Sequence, residues 1–199
     1  MELKLDILAF GAHPDDVELS CAGVLMIEKM QEKKIGVIDL TMGELGTRGT
    51  IETRRAESIA AAAILQLDVR HNLEFADGFF QNDKVHQMEV IRAIRKYQPE
   101  IIMCNAPSDR HPDHGRGAKL LETSAFLSGL RKIETTENGK PQEAWRPKYV
   151  LHYVQDRFLH PNFVYDITPV MNRKIEAVKA YTTQFSAADT SEPQTYIST

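Results

Sequence analysis

Residues 5–16 read Leu5-Asp6-Ile7-Leu8-Ala9-Phe10-Gly11-Ala12-His13-Pro14-Asp15-Asp16, a largely apolar run that passes directly into polar, turn-forming residues. The run through Gly11 does not alternate polar with apolar, the pattern of a strand buried on both faces of a parallel sheet. Ile35 to Leu40, Glu100 to Asn105 and Tyr149 to Val154 repeat that pattern. Between them lie helical stretches. Val17 to Met30 is opened by Asp15 or Asp16, and the Ala-rich Arg54 to Leu65 offers Ile59 and Ile64 to a core. Met88, Val90, Ile91, Ile94 and Tyr97 mark an amphipathic helix stopped before Pro99. Leu73 to Phe80 is predicted to hold a shorter strand and a loop, Arg131 to Pro147 a polar connection, and Thr168 to Tyr181 a last helix before a polar tail after Ser186. Strand alternating with helix predicts one α/β domain over residues 1–199, Rossmann-like and doubly wound, with a mostly parallel sheet and helices on both faces.

In the commonest order of such a sheet, the first strand and the fourth, Glu100 to Asn105, are neighbours where the winding reverses, and ligands bind there beyond the carboxyl ends. The tripeptide His-Pro-Asp follows both strands, as His13-Pro14-Asp15-Asp16 and as His111-Pro112-Asp113-His114. His13 and Asp16 are three residues apart, as are His111 and His114, so each segment can aim two polar groups into one space. His and carboxylate are zinc ligands, and three protein ligands that leave a position for water make a catalytic site. The ligand set assigned is His13, Asp16 and His114. The competing reading is two turns that merely end strands, since Pro and Asp form turns and Asp caps helices.

Zinc with an open position points to amide or ester hydrolysis, which also needs a general base. Asp15, next to a ligand and pointing elsewhere, is the candidate base, with helix capping as its alternative. His111, as an imidazolium, can stabilise an oxyanion or protonate a leaving amine. Asp113 can hold an imidazole nitrogen and set its tautomer, or simply cap. Thr41-Met42-Gly43-Glu44-Leu45-Gly46-Thr47-Arg48-Gly49 follows the second strand, and its glycines allow close approach to a ligand, but it is not a dinucleotide fingerprint. Arg54 and Arg110 are candidate clamps for a carboxylate or sugar hydroxyls, whereas Arg48 and Arg55 read as solvated. His71, His86, His152 and His160 lack a partner at ligand spacing and are left outside the site. Iron or cobalt suits the same His, Asp, His set as zinc.

Composition narrows the partners. The chain of 199 residues, 42% hydrophobic, can fill one core, and its formal charge of -4 gives no basis for binding nucleic acid. A neutral or acidic small molecule fits better. Charges at Glu2, Lys4 and Asp6 interrupt any signal-like apolar region, and no apolar run approaches membrane-spanning length, so a soluble cytoplasmic protein with no membrane partner is expected. Cys21 and Cys104 lie in apolar stretches and read as free buried thiols.

The motifs Ala12-His13-Pro14-Asp15-Asp16 and His111-Pro112-Asp113-His114 resemble the signature of the LmbE or PIG-L family of zinc-dependent N-acetylglucosaminyl deacetylases. Asp39-Leu40-Thr41, Gly43-Glu44, Gly49-Thr50-Ile51-Glu52-Thr53-Arg54 and Gln184-Phe185-Ser186 extend the likeness over most of the chain. Within the family the sequence is most similar to bacillithiol-biosynthesis deacetylases, which act on N-acetylglucosaminyl malate. The resemblance implies an LmbE-like fold, zinc on His13, Asp16 and His114, and Asp15 as base. It also implies His111 at the oxyanion with Asp113 behind it, and substrate contacts from Arg54 and Arg110. Similar proteins generally continue past the position of Thr199 into a segment that helps close the site, so that segment is expected to be absent, and members often form hexamers. Mycothiol-type and chitooligosaccharide substrates, or a non-catalytic sugar- or metal-binding module, are the alternatives.

Overall fold

In the computed structural model, which describes residues 3–185, Ile7–Gly11 forms strand β1 and is buried along its whole length. Ile7 and Ala9 face one apolar layer while Leu8 and Phe10 face another, which is why the run reads as apolar without alternation. Strands β2 (Ile35–Thr41), β3 (Val69–Phe75) and β4 (Ile101–Cys104) join it. A fifth, which we call β7 (Tyr149–His152), follows a small antiparallel ribbon of β5 (Thr136–Glu137) and β6 (Lys140–Pro141). The main sheet is parallel, in the order β3-β2-β1-β4-β7. β1 and β4 are neighbours, with Ile7 opposite Ile101 and Ala9 opposite Met103, so both His-Pro-Asp segments emerge side by side at the reversal of winding.

Helices α1 (Asp16–Leu19) and α2 (Ala22–Met30) pack Val17, Cys21 and Leu25 on one face of the sheet, where α3 (Ile51–Leu65) and α6 (Met171–Lys179) lie beside them. On the opposite face α4 (Lys84–Tyr97) and α5 (Pro112–Ser128) contribute Val90, Ile94, Leu120 and Leu121 to the larger core. A 3-10 turn, Thr168–Val170, leads into α6, and the short α7 (Thr182–Phe185) ends the described chain; the tail expected after Ser186 lies outside the described residues. Among the described residues no helix is long and apolar enough to cross a membrane.

Several local expectations change. The single helix predicted over Val17 to Met30 is broken at Ser20 and Cys21, and the Leu19 carbonyl there accepts a hydrogen bond from Lys174 Nζ at 2.7 Å. Helix α3 starts at Ile51 rather than Arg54, because Thr50 and Thr53 cap it reciprocally: each backbone N–H donates to the other's hydroxyl. Ile59, expected in the core, is exposed, and Ala61 and Leu65 of the same helix are buried instead. Strand β3 begins at Val69, not Leu73. Its His71 is exposed at the sheet edge, whereas Arg70 is largely buried and satisfied by Asp39 and Glu18, and Asn72 donates to the Thr41 carbonyl. Helix α5 was not anticipated; His111 is its N-cap and Pro112 occupies the first turn, where a missing N–H costs nothing. Gly115 dilutes its helical pattern, yet a Cβ there would stand 3.0 Å from the Pro107 carbonyl oxygen.

Candidate active site

The carboxyl ends of β1 and β4 bring His13, Asp16, His111 and His114 together, with ring centroids 4.6 Å apart for His13–His111 and 5.7 Å for His13–His114. The Asp16 carboxylate lies between two imidazoles: Oδ2 is 3.7 Å from His13 Nδ1 and Oδ1 is 3.2 Å from His114 Nε2. Asp16 is itself held in place. Its Oδ2 accepts from the His13 backbone N–H and from Asn105 Nδ2, each at 3.0 Å, and its Oδ1 accepts from Gln155 Nε2 at 2.7 Å.

Each of these imidazoles has its outer nitrogen on a second carboxylate. His13 Nε2 is 3.0 Å from Asp77 Oδ1 and 3.4 Å from Asp113 Oδ2, and His114 Nδ1 is 2.8 Å from Asp109 Oδ2. An ionised carboxylate only accepts, so those nitrogens carry the protons and, in the neutral rings, the lone pairs of His13 Nδ1 and His114 Nε2 face Asp16. His111 differs. Its Nδ1 accepts from the Asp113 backbone N–H at 3.2 Å, which puts the ring proton on Nε2 and makes that atom a donor. Ligand atoms of His13, His111 and His114 fall within 4.8 Å of one another, as do those of His13, Asp77 and Asp113 and of Asp109, His114 and Asp156, but the His111 tautomer disfavours that residue as a metal ligand.

The charge states follow from the same contacts. Burial opposes charge on His13, yet Asp113, Asp16 and Asp77 hold its pKa well above the ordinary value; on His114, Asp16 and Asp109 likewise outweigh burial. Asp16 is held well below the carboxylate range by His114 and His13 despite burial, and Asp77 is brought down to about 2 by its bond to His13. The pKa of His111 is lowered by burial and by the neighbouring His13 and His114, which disfavours the imidazolium form.

Asp15 is 5% exposed and makes no side-chain cap bond to α1, which leaves the capping role without support. Burial raises its pKa to about 7 against the opposing charge of Arg54, whose Nη1 is 3.9 Å from Oδ2. Its backbone lies at φ 114°, a strained region for a residue with a Cβ, of the kind retained at functional sites at a cost of about 1–3 kcal/mol. Asp113 does not stand behind His111 through its carboxylate. That group faces His13, accepts the Gly78 backbone N–H at 2.8 Å and pairs with Arg116.

One cavity collects Asp15, Asp16, His13, His111 and His114 with Gly43, Gly46, Arg54 and Arg110 on its walls. Arg110 is half-exposed at the mouth, with Nε 3.3 Å from Asp156. Arg54 is buried, and its Nη1 donates to the Pro14 carbonyl at 3.3 Å. Arg48, expected to be solvated, is buried in the glycine-containing loop, whereas Arg55 is exposed as expected. Asp77, Asp109, Asn105 and Gln155 were missed by sequence reasoning. Only Asp109, two residues before His111, and Asn105, at the end of β4, carried a positional hint.

Similar proteins are found both by sequence and by fold. Diacetylchitobiose deacetylase of Thermococcus kodakarensis is 28% identical over 192 residues, covering 90% of this chain and 70% of that protein. The conserved protein TT1542 from Thermus thermophilus superposes with a TM-score of 0.84 at 35% identity, covering 91% of this chain and 80% of that one. The N,N'-diacetylchitobiose deacetylase from Pyrococcus horikoshii shares the fold, with a TM-score of 0.79 at 22% identity over 91% of this chain and 71% of that one. The sequence model of the PIG-L family, described as GlcNAc-PI de-N-acetylase, matches residues 8–125, which include both His-Pro-Asp segments, and the chain therefore belongs to the PIG-L family.

Proposed function

We propose that the protein is a zinc-dependent hydrolase that removes the acetyl group from an N-acetylglucosamine conjugate, with N-acetylglucosaminyl malate of bacillithiol biosynthesis as its substrate. The observation that carries this reading is the Asp16 carboxylate set between His13 Nδ1 and His114 Nε2, each ring oriented by a further carboxylate. The donors suit zinc. Two imidazole nitrogens and a carboxylate are groups that zinc takes, and Asp16 reaches both rings, with Oδ2 3.7 Å from His13 Nδ1 and Oδ1 3.2 Å from His114 Nε2. Bound there, zinc lowers the pKa of a water and polarises a carbonyl oxygen.

The protein's own groups supply the remaining steps. Asp15 accepts a proton from the attacking water as its oxygen bonds to the acetyl carbon. His111 Nε2–H donates to the carbonyl oxygen as that atom gains negative charge. When the C–N bond breaks, Asp15 returns the proton to the departing nitrogen, leaving acetate and a free amine. Arg110 at the mouth is placed to meet the carboxylates of an acidic aglycone. Similarity to the archaeal deacetylase supports the acetamide of N-acetylglucosamine as the bond cleaved.

The test is amine release from N-acetylglucosaminyl malate, N-acetylglucosamine and diacetylchitobiose, with zinc-loaded protein beside a chelated control. Zinc-dependent release that favours the malate conjugate is expected; a preference for diacetylchitobiose would move the assignment to chitooligosaccharides, and no release from any of them would remove it. The second carboxylate shell gives an independent check. Asp109→Asn replaces the acceptor on His114 Nδ1 with a weaker one, and zinc affinity should fall about 10–100-fold. Unchanged affinity in a chelator competition would show that Asp109 does not orient a ligand.

A further inference from the structure

Helix α7 reaches back over α3 and is tied to it by polar contacts. Thr183 N and Thr182 Oγ1 donate to Glu57 Oε1 at 2.7 and 3.0 Å, and Thr183 Oγ1 donates to Glu57 Oε2 at 2.8 Å. Gln184 is 4% exposed and uses both ends of its amide: Nε2 donates to the Arg48 carbonyl at 2.9 Å, and Oε1 accepts from Arg54 Nη2. Glu57 and Arg54 are three residues apart on one face of α3, so the strap is held at two points.

Arg54 passes the constraint onward. Its Nη1 donates to the carbonyl of Pro14, and that carbonyl belongs to the peptide bond leading into Asp15 at φ 114°. Room for the guanidinium comes from Gly43, at φ +67°, where a Cβ would stand 2.6 Å from Nη1. Both terminal nitrogens of Arg54 thus rest on protein oxygens, and Nε is buried without a hydrogen-bond partner among the described residues. Arg54 thereby grips the turn that carries the proposed base.

The geometry points to Gln184 as a positioning residue: it fixes Arg54, which holds the Pro14–Asp15 turn so that the Asp15 carboxyl faces the reacting water. The inference rests on the hydrolase reading above. Two variants separate it from a merely structural role. Gln184→Met keeps the volume but neither accepts nor donates, while Gln184→Glu keeps an acceptor for Arg54 and loses the amide donor to the Arg48 carbonyl and Thr183 Oγ1. The Met variant should lose about 10- to 100-fold in kcat with KM and zinc content unchanged, and the Glu variant should recover most of that rate.

A rise in KM at constant kcat would instead make Arg54 a substrate ligand. Equal losses in both variants that track their melting temperatures would reduce Gln184 to packing, and full activity in the Met variant would remove the role. Amide exchange at Asp16, whose N–H donates to the His13 carbonyl at 3.3 Å, reads the turn without any turnover. It should quicken in Gln184→Met. An unchanged rate there overturns the clamp, whereas failure of the wild-type protein to release amine from any sugar amide overturns only the hydrolase reading.

Discussion

Asp15→Asn is expected to leave the fold and the zinc uptake proposed above unchanged while cutting kcat by about 10²–10⁴-fold, the range for removal of a general base. Asn matches the carboxylate in size and keeps its place against Arg54, but it cannot take a proton from water. Turnover assayed beside metal content decides the matter. Near-normal turnover in a zinc-loaded variant would mean that the base lies elsewhere. The same substitution has a stability consequence in the metal-free protein. Burial raises the Asp15 pKa from 3.8 to about 7, so between those values the folded state binds more protons than the unfolded one. Stability contributed by this group is therefore lost as pH rises through that window. Asp15→Asn should flatten the decline, read as a smaller fall in melting temperature between about pH 4 and pH 7. A decline of the same slope in both proteins would contradict the burial assigned to this carboxyl.

His114→Ala should weaken zinc binding by more than the 10–100-fold expected for an outer-shell change, because it removes a ligand lone pair rather than its orientation. It also leaves Asp16 without the imidazole 3.2 Å from its Oδ1, so the buried carboxylate loses a favourable charge along with the metal. Activity should stay low at zinc concentrations that saturate the wild-type protein. His111→Ala is the informative contrast, with metal retained and a rate roughly 10²–10³-fold lower, as for loss of an oxyanion donor. If His111→Ala lost zinc and His114→Ala kept it, the ligand assignment drawn from the ring tautomers would be wrong.

Those tautomers depend on residues that carry no local signal. Asp77 sits in Phe75-Ala76-Asp77-Gly78, which reads as an ordinary turn, and only the packing of the loop after β3 against β1 puts its Oδ1 on His13. Gln155 follows β7 in a stretch with no motif, yet it reaches Asp16 across 139 residues of sequence. Arg48 looked like a solvated charge because a glycine-containing loop is usually on the surface, and it is buried because α7 closes over that loop through Gln184. Arg54, near the start of a helix, looked like a clamp for a carboxylate or sugar hydroxyls because of its planar donor fork. Its partners, Pro14 and Gln184, are 40 and 130 residues away.

By itself the sequence determined the parallel α/β architecture, the adjacency of β1 and β4, and the convergence of His13, Asp16, His111 and His114. These follow from apolar runs and turn residues, whose effects act over a few neighbours and recur at every strand end. Tertiary structure alone decided which nitrogen of each histidine is free, why Asp15 is raised towards neutral pH, and what Arg54 holds. Those properties depend on burial and on hydrogen bonds between segments far apart in the chain, and a polar side chain's charge and tautomer are set by the groups brought against it in the folded state.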